Sequence, residues 1–510
     1  RVKSVLEYLE NSAARFPDKK AVADDKSSMT YSELVNNARN IAAGLLPYTE
    51  RRQAVPVYMD KSCHTLALFM GAVMAGCFYV CLDPSQPAER INMILETLEA
   101  KLMVVDEKSA KKQAKLGFDG PVLNIDELMT HEVTEEENEK LAQIRSEALD
   151  IDPLYSIFTS GSTGVPKGVS ICHRSVIDYT DWVTETFNIT QKDTFGNQAP
   201  FYFDNSILDI YSCMKMGATL NIIPKKLFFQ PVPLLEYIKY NKINTIFWVP
   251  SALIVVSKLK AFRNVDLSDT LKRVLFCGEV MPNKQLNIWR KFLPNVTYAN
   301  LYGPTEITDA CTYYIVDREY ENHETLPIGK VCRNMRALIL NDDDKQCAVG
   351  EQGELCISGT GIALGYWNSP EITAKAFVQN PLNTKYHDRI YRTGDLVYEN
   401  EEGNIIFIGR KDSQIKLRGN RIELGDLESA AAAIENVASA CALFDADKQE
   451  IVLFIETTAE IVARKFKMEL KKYVPAYMVP GKIVTMEKFP HTPSGKIDRV
   501  GLRKTYITAE

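Results

Sequence analysis

The chain has 510 residues, and at about 100 to 200 residues per domain that length predicts two or more domains. Hydrophobic residues make up 45% and charged residues 25%, the balance of a globular protein, which excludes a disordered or collagen-like chain. Its 60 Lys+Arg against 66 Asp+Glu leave a net charge of −6, too acidic for phosphate-backbone binding, so no nucleic-acid partner is expected.

The sequence opens on Arg1 with no signal-like segment, which suggests a chain excised from something longer. Val55 to Met59 is β-prone, and Pro56 places it at a strand start or a sheet edge. Thr65 to Leu82 runs 18 residues without a charge, at the lower edge of a membrane span. Its texture changes after Gly76 from helix formers to Cys-Phe-Tyr-Val, so it reads as a buried helix, a glycine stop and a buried strand, with no membrane span. Thr130 to Lys140 is an acidic run expected on a solvated loop or surface helix. Further β-prone runs at Thr245 to Val249, Val274 to Cys277 and Ala337 to Leu340 alternate with helical stretches, the pattern of α/β layers with buried sheets.

The eleven cysteines are odd in number, scattered and free of any C-x-x-C pair. They predict reduced thiols filling the core of a cytoplasmic protein, with neither a disulfide framework nor a zinc site. Beyond Arg410 the elements shorten. A strand-like QIKLRG precedes a helix with Leu424, Leu427, Ala431 and Ile434 on one face. Strands follow near Ala440 to Phe444 and Ile451 to Ile455, then a helix spaced by Val462, Phe466, Leu470 and Tyr473. About a hundred residues make one small α+β domain.

Tyr155 to Gly168, YSIFTSGSTGVPKG, is a strand running into a loop of hydroxyls, glycines and Lys167. Glycines let backbone N–H groups face an anion, hydroxyls add donors and lysine adds charge, so polyphosphate is the expected ligand. The Walker pattern fails, because Pro166 takes the place of its second glycine and Gly168 follows the lysine.

This loop resembles the signature of the adenylate-forming superfamily, and other motifs of that family follow in order: LYGPTE at Leu301 to Glu306, GELCISGTGIALGYW at Gly353 to Trp367, YRTGDLV at Tyr391 to Val397, GRKDSQIKLRGNRIELGDLE at Gly409 to Glu428, and PSGKIDR at Pro493 to Arg499. The resemblance implies an α/β fold with a large multi-layer N-terminal domain over 1–411 and a small mobile α+β domain over 412–510, hinged at Asp412. It implies ATP and Mg²⁺ as cofactors. Thr159, Ser160, Gly161, Ser162, Thr163, Gly164 and Lys167 would hold the β- and γ-phosphates, Thr305 would donate to the α-phosphate, and Glu306 would ligate Mg²⁺. Tyr302 would stack on adenine and Asn300 would bond its amino group, with Gly278, Glu279, Leu301 and Gly303 beside the nucleotide. Asp395, which alone would read as a turn residue, and Arg410 would take the ribose. Lys496 would bridge the substrate carboxylate and the phosphate, making Lys496, Thr305 and Lys167 the catalytic set. A later rotation would replace Lys496 by the segment Lys416 to Gly419 for thioester formation.

Phe203-Asp204-Asn205-Ser206 resembles the family's amino-acid activators, in which the aspartate pairs with the substrate α-ammonium. Asp204 alone could instead cap a helix starting at Ser206. The pocket positions would be Asp204, Asn205, Leu208, Phe247, Leu275, Cys277, Leu301, Asp309 and Ala310, with Lys496. Phe247, Leu275 and Leu301 are bulky and favour a small side chain. LFCGEVMP around Cys277 resembles the D-alanine ligases that load a carrier protein, while Asp309 departs from their apolar residue and suits a hydroxyl or amine. D-alanine or another small amino acid ranks first, and a polar or cationic one second. An acyl- or aryl-CoA synthetase would need a non-acidic residue at Asp204, and a catalytically silent module would lack Lys496, Glu306 or Asp395. No G-G-x-S attachment sequence occurs, so the phosphopantetheine thiol is expected on a carrier protein, either a separate chain or a missing downstream domain.

Overall fold

A computed structural model describes residues 2–159, 165–258, 261–322, 324–411, 414–490 and 497–507. A large N-terminal domain of several sheets is followed by a small α+β domain, as expected. The largest sheet has nine strands. Six of them, Lys20–Ala23, Thr219–Ile222, Thr194–Asn197, Thr245–Trp248, Arg273–Phe276 and Thr297–Tyr302, form a parallel run. Parallel neighbours need crossover connections, so helices cover the sheet and its strands read as apolar runs. The carboxyl ends of such strands all open on one edge, where ligands of open α/β sheets bind. The loops leaving that edge carry Asp204, Cys277 to Glu279, and Gly303 to Asp309.

A second sheet of seven strands has Phe78–Leu82 and Ala54–Tyr58 at its centre. One contiguous core joins Val22 and Leu220 of the first sheet, Val57 and Tyr155 of the second, and the helices between them. The uncharged stretch resolves as a helix, Cys63–Met74, followed by the fully buried strand Phe78–Leu82. The helix is apolar on every side because it is enclosed on every side. Gly76 turns the chain between them at φ +77, a left-handed conformation that glycine adopts without cost. Among the described residues no helix is long and apolar enough to cross a membrane.

Pro56 is neither at a strand start nor on an edge strand. It lies inside Ala54–Tyr58, opposite Val80 on one side, while pairing with Met103–Val105 on the other begins only at Val57. The acidic run supplies the surface helix Glu135–Ser146, which buries no residue and opens on a reciprocal Thr134–Glu137 capping box. Ten of the eleven cysteines are buried and all are unpaired.

A third sheet is antiparallel, and in it Arg389–Glu399 pairs with Ile405–Arg410 so that Asp395 stands opposite Arg410. In the small domain a hairpin of Gln414–Leu417 and Asn420–Glu423 precedes a helix, Leu424–Ala432, and the sheet of Ser439–Asp445, Glu450–Glu456 and Lys482–Met486. The expected Val462-to-Tyr473 helix is shorter, Ala463–Leu470. Only Phe466 and Leu470 of the four apolar positions are buried, since Val462 precedes the helix and Tyr473 follows it, both exposed. Ile434 likewise lies past the end of its helix and is only partly buried. After residue 496 the chain ends its described part in a helix, Arg499–Tyr506, capped by Asp498.

Candidate active site

Asp204 precedes the helix Asn205–Met216, but its side chain makes no capping hydrogen bond, so the reading of this residue as a cap is excluded. The residue instead lines a cavity of about 290 Å³ between the two domains. Gln198 to Pro200, Tyr202 to Asn205 and Val249 line the large-domain side of that cavity, and Arg418, Gly419 and Asn420 with Pro475 to Tyr477 line the other. Burial raises the pKa of Asp204, against a hydrogen bond with Thr305 and the charge of Lys416. Thr305, expected at the α-phosphate, is therefore near enough to the residue expected at the α-ammonium to influence its charge.

Leu208, Phe247, Leu275, Cys277, Leu301 and Ala310 are all buried in the single large core. Asn205 joins them with its side-chain Nδ2 buried and without a hydrogen-bond partner. Asp309 is 1% exposed, accepting a 2.7 Å bond from the Tyr179 hydroxyl on Oδ2 while Oδ1 has no partner. Gly303 packs so closely on this turn that a Cβ there would stand 2.4 Å from the Asp309 carbonyl, which is why the position takes glycine.

The residues expected at the nucleotide make the following contacts. The Tyr302 hydroxyl donates to Asp395 Oδ2, and Arg410 Nη1 donates to Oδ1 at 2.9 Å and to the Thr393 carbonyl at 2.6 Å. Asn300 gives its Nδ2 to the Pro327 carbonyl at 2.8 Å, which orients the amide and leaves its oxygen as the acceptor that an adenine amino group needs. Lys416 of the small domain stands 5.7 Å from the centre of the Tyr302 ring, a cation–π contact on the residue expected to stack on adenine. Gly278 adopts φ +98 beside Val249. Glu279 uses its carboxylate on the Ser251 N–H at 2.9 Å, at the start of the helix Pro250–Lys258, so its side chain serves the scaffold.

Thr159 and Lys167 face each other across the hairpin that carries the phosphate loop, and the Thr159 hydroxyl is buried without a partner. Lys167 Nζ lies 5.2 Å from the centre of the Tyr366 ring, with its pKa lowered by burial and by Arg421. Ser160, Gly161, Ser162, Thr163, Gly164, Asp412 and Lys496 lie outside the described residues.

Glu306 is fully buried. Arg421 Nη1, from the small-domain hairpin, donates to its two oxygens at 2.9 and 2.7 Å, and the Tyr366 hydroxyl donates to Oε1 at 2.8 Å. Burial alone would raise this carboxyl, but Arg421, Lys167 and Tyr366 together bring it down to about 2. An ionised carboxylate is the right chemistry for Mg²⁺. In this domain arrangement, however, both oxygens are engaged, and the described residues contain no group of three metal-ligating side chains. Arg421 and Tyr366 were not picked out from sequence although both lie within quoted motifs. The signal available was an arginine in QIKLRGNRIELGDLE, and nothing local says which carboxylate it meets.

The comparisons with known proteins identify the family. The AMP-binding enzyme family matches residues 9–367, and the AMP-binding enzyme C-terminal domain matches 426–496. The D-alanine--D-alanyl carrier protein ligase of Bacillus cytotoxicus is 33% identical over 97% of this chain and 98% of its own length. Tyrocidine synthase 1 of Brevibacillus parabrevis is 30% identical over 99% of this chain, which spans only 45% of that protein. An artificially fused adenylation and PCP di-domain, NpsA-ThdA from Klebsiella oxytoca, superposes with a TM-score of 0.81 at 21% identity, covering 95% of this chain and 94% of its own. With the AMP-binding enzyme model matching 9–367 and the C-terminal-domain model 426–496, this chain belongs to the AMP-binding enzyme family.

Proposed function

We propose that the chain joins an amino acid to ATP as aminoacyl-AMP, releasing pyrophosphate, and passes the aminoacyl group to the phosphopantetheine thiol of a carrier protein. The observation that carries this reading is Asp204, a carboxyl set against low-dielectric surroundings at the end of the interdomain cavity with no capping role. Such a group is stabilised by an incoming ammonium and disfavours a fatty or aryl acid. The carrier-protein ligase of Bacillus cytotoxicus, similar over its full length, supports the same reaction class. A small amino acid, D-alanine first, fits the bulky floor of Phe247, Leu275 and Leu301.

Attack of the substrate carboxylate on the α-phosphorus forms the new C–O–P linkage and expels pyrophosphate, so the residues must hold two anions together. In this reading Lys167 and the hydroxyls from Thr159 onward hold the outer phosphates, Thr305 turns from Asp204 to the α-phosphate, and Asp395 with Arg410 orients the ribose. Lys496 neutralises the charge developing between carboxylate and phosphate. Glu306 would hold Mg²⁺ in an arrangement that leaves its oxygens free of Arg421, and the ion would supply positive charge to the triphosphate. Rotation of the small domain, residues 412–510, about Asp412 then brings Lys416 to Gly419 against the cleft. The contacts of Lys416 with Tyr302 and of Arg421 with Glu306 fit that second arrangement. The unpaired thiols suit a cytoplasmic enzyme.

Amino-acid-dependent ATP–pyrophosphate exchange tests the proposal across all L- and D-amino acids. Exchange with a small amino acid is expected, and Lys496→Ala is expected to abolish it. A flat amino-acid profile with fatty or aryl acids active instead would overturn the role of Asp204, and full exchange by Lys496→Ala would overturn the mechanism.

A further inference from the structure

Lys61 is a cation that neither the nucleotide nor the amino acid accounts for. It stands in the short connection between the strand Ala54–Tyr58 and the helix Cys63–Met74, beside the second sheet. Its ammonium crosses to the first sheet and donates to Asn197 Oδ1 at 2.8 Å, to the Gln198 carbonyl at 2.7 Å and to the Ala199 carbonyl at 3.2 Å. An ammonium has three donors, and three acceptors from consecutive residues converge on it at the carboxyl end of Thr194–Asn197. Asn197 is fully buried, and its Nδ2 donates at 2.9 Å to Asp209 Oδ2 on the helix Asn205–Met216. Burial lowers the pKa of Lys61, opposed by the charge of Asp209 and reinforced by Lys225, and burial raises that of Asp209. The adjacent Asp60 is paired with Lys108 instead. A charge kept against burial contributes little net stability, but it can fix one geometry among several.

The geometry it fixes leads to the small domain. Gln198 and Ala199 belong to the wall of the interdomain cavity. The Gln198 side chain continues the path, its Oε1 accepting the Val249 N–H at 3.4 Å. Val249 in turn meets the tip of the small-domain hairpin, where Leu417 pairs with Asn420 and the two residues between them, Arg418 and Gly419, take φ 52 and φ 79. Two left-handed residues make the tight turn that antiparallel strands need. That tip sits so close that a Cβ on Gly419 would lie 2.8 Å from Val249 Cγ1. The same hairpin carries Lys416 and Arg421, whose contacts with Tyr302 and Glu306 hold the small domain in this arrangement. A continuous path therefore runs from Lys61 through Gln198 and Val249 to Gly419, joining the second sheet, the edge of the first and the small domain.

We propose that Lys61 is a positioning residue for the docked arrangement of the small domain: its ammonium sets the course of Gln198 and Ala199, Gln198 sets Val249, and Val249 seats the turn Arg418–Gly419. Lys61 acts through these residues and touches no reacting atom. Only the assignment of the docked arrangement to the transfer half-reaction rests on the reading above. Removing the three donors while keeping the stem, as in Lys61→Met, frees the wall, loosens the seat and shifts the chain toward the arrangement used for adenylation.

The test is amide hydrogen exchange of the full chain read by mass spectrometry, with pyrophosphate exchange measured beside it. In Lys61→Met, exchange is expected to speed up about tenfold or more over 198–205 and over the hairpin 414–423, while the strands Arg273–Phe276 and Thr297–Tyr302 keep their protection. Pyrophosphate exchange is expected at no less than the wild-type rate, with the KM for ATP within about twofold. Lys61→Arg, which keeps a charge and its donors, is expected to recover the protection of 414–423. Gln198→Ala cuts the path one step later without touching a buried charge, and is expected to loosen 414–423 as well, so the proposal is decided even where Lys61→Met fails to fold. Unchanged protection of 414–423 in Lys61→Met, or in Gln198→Ala where the former does not fold, overturns the role of Lys61. Loss of protection throughout the large domain, with pyrophosphate exchange falling in step, overturns it too, since that is the signature of a scaffold residue. Absence of pyrophosphate exchange by the wild type with every amino acid overturns the amino-acid reading instead, and the protection of 414–423 then decides the role of Lys61 by itself.

Discussion

Asp395 and Asp204 lie on the same cleft in different company. At the ribose corner Asp395 is bonded on one oxygen by Tyr302 and on the other by Arg410, all within the large domain. At the corner proposed for the amino acid, Asn205 Nδ2, Asp309 Oδ1 and the Tyr155 hydroxyl are buried without a partner among the described residues. The first corner is a finished network that a sugar can add to. The second leaves buried polar atoms without partners. Burying polar atoms without partners destabilises the empty protein and makes the pocket selective for the molecule that supplies them.

The sharpest way to break this contrast is at the unfinished corner. Asp204→Asn should lower kcat/KM for the amino acid by about 10²–10³-fold, the cost of removing one partner of a buried charge pair, with the KM for ATP nearly unchanged. Equal losses for both substrates, measured by pyrophosphate exchange, would mean that the two corners are not separate.

Next comes the contact that ties the small domain to the cleft. Arg421→Ala leaves Glu306 as an uncompensated buried charge, at about 3–5 kcal/mol, so the docked arrangement should be lost. Thioester formation should drop about 10²-fold while pyrophosphate exchange persists, because exchange uses the other arrangement. With Glu306 held at about 2 against an ordinary 4.5, this stabilisation is present above about pH 4.5 and is lost only as pH falls toward 2.

The scaffold has its own titration, which sharpens the comparison by setting a baseline. His173 is 6% exposed and accepts the Val5 N–H on Nδ1, and burial, aided by Arg145 and opposed by Asp152 and Asp150, lowers it to about 4. The unfolded chain therefore takes the proton first. Stability is full above about pH 6.5 and falls by up to about 3 kcal/mol as pH drops to 4, and His173→Asn should flatten that slope in chemical denaturation.

The smallest effect belongs to the finished corner. Tyr302→Phe removes one donor from Asp395 but leaves Arg410 in place, so the KM for ATP should rise only about three- to tenfold.

Much of this was legible in the sequence, and the reason is local in each case. Periodicity and the Gly76 break placed Cys63–Met74 and Phe78–Leu82 because burial on all sides leaves an uncharged run with a change of propensity. The strands near Thr245, Val274 and Ala337 were likewise readable. Pro56 was misplaced because an edge is defined by which strands come alongside, and the neighbour that begins pairing at Val57 is distant in the chain. The Val462-to-Tyr473 helix was drawn too long because apolar spacing continued past residues that nothing covers.

By itself the sequence determined the class of fold, the motif order and the residue types available for each chemical task, since these depend on composition and spacing along the chain. Only the tertiary structure decided which carboxylate each cation meets. Arg421 lies 115 residues from Glu306, and Asp309 stands 130 from Tyr179. Pairings at such separations follow from how sheets and domains pack, and packing also decides which buried atoms are left without a partner.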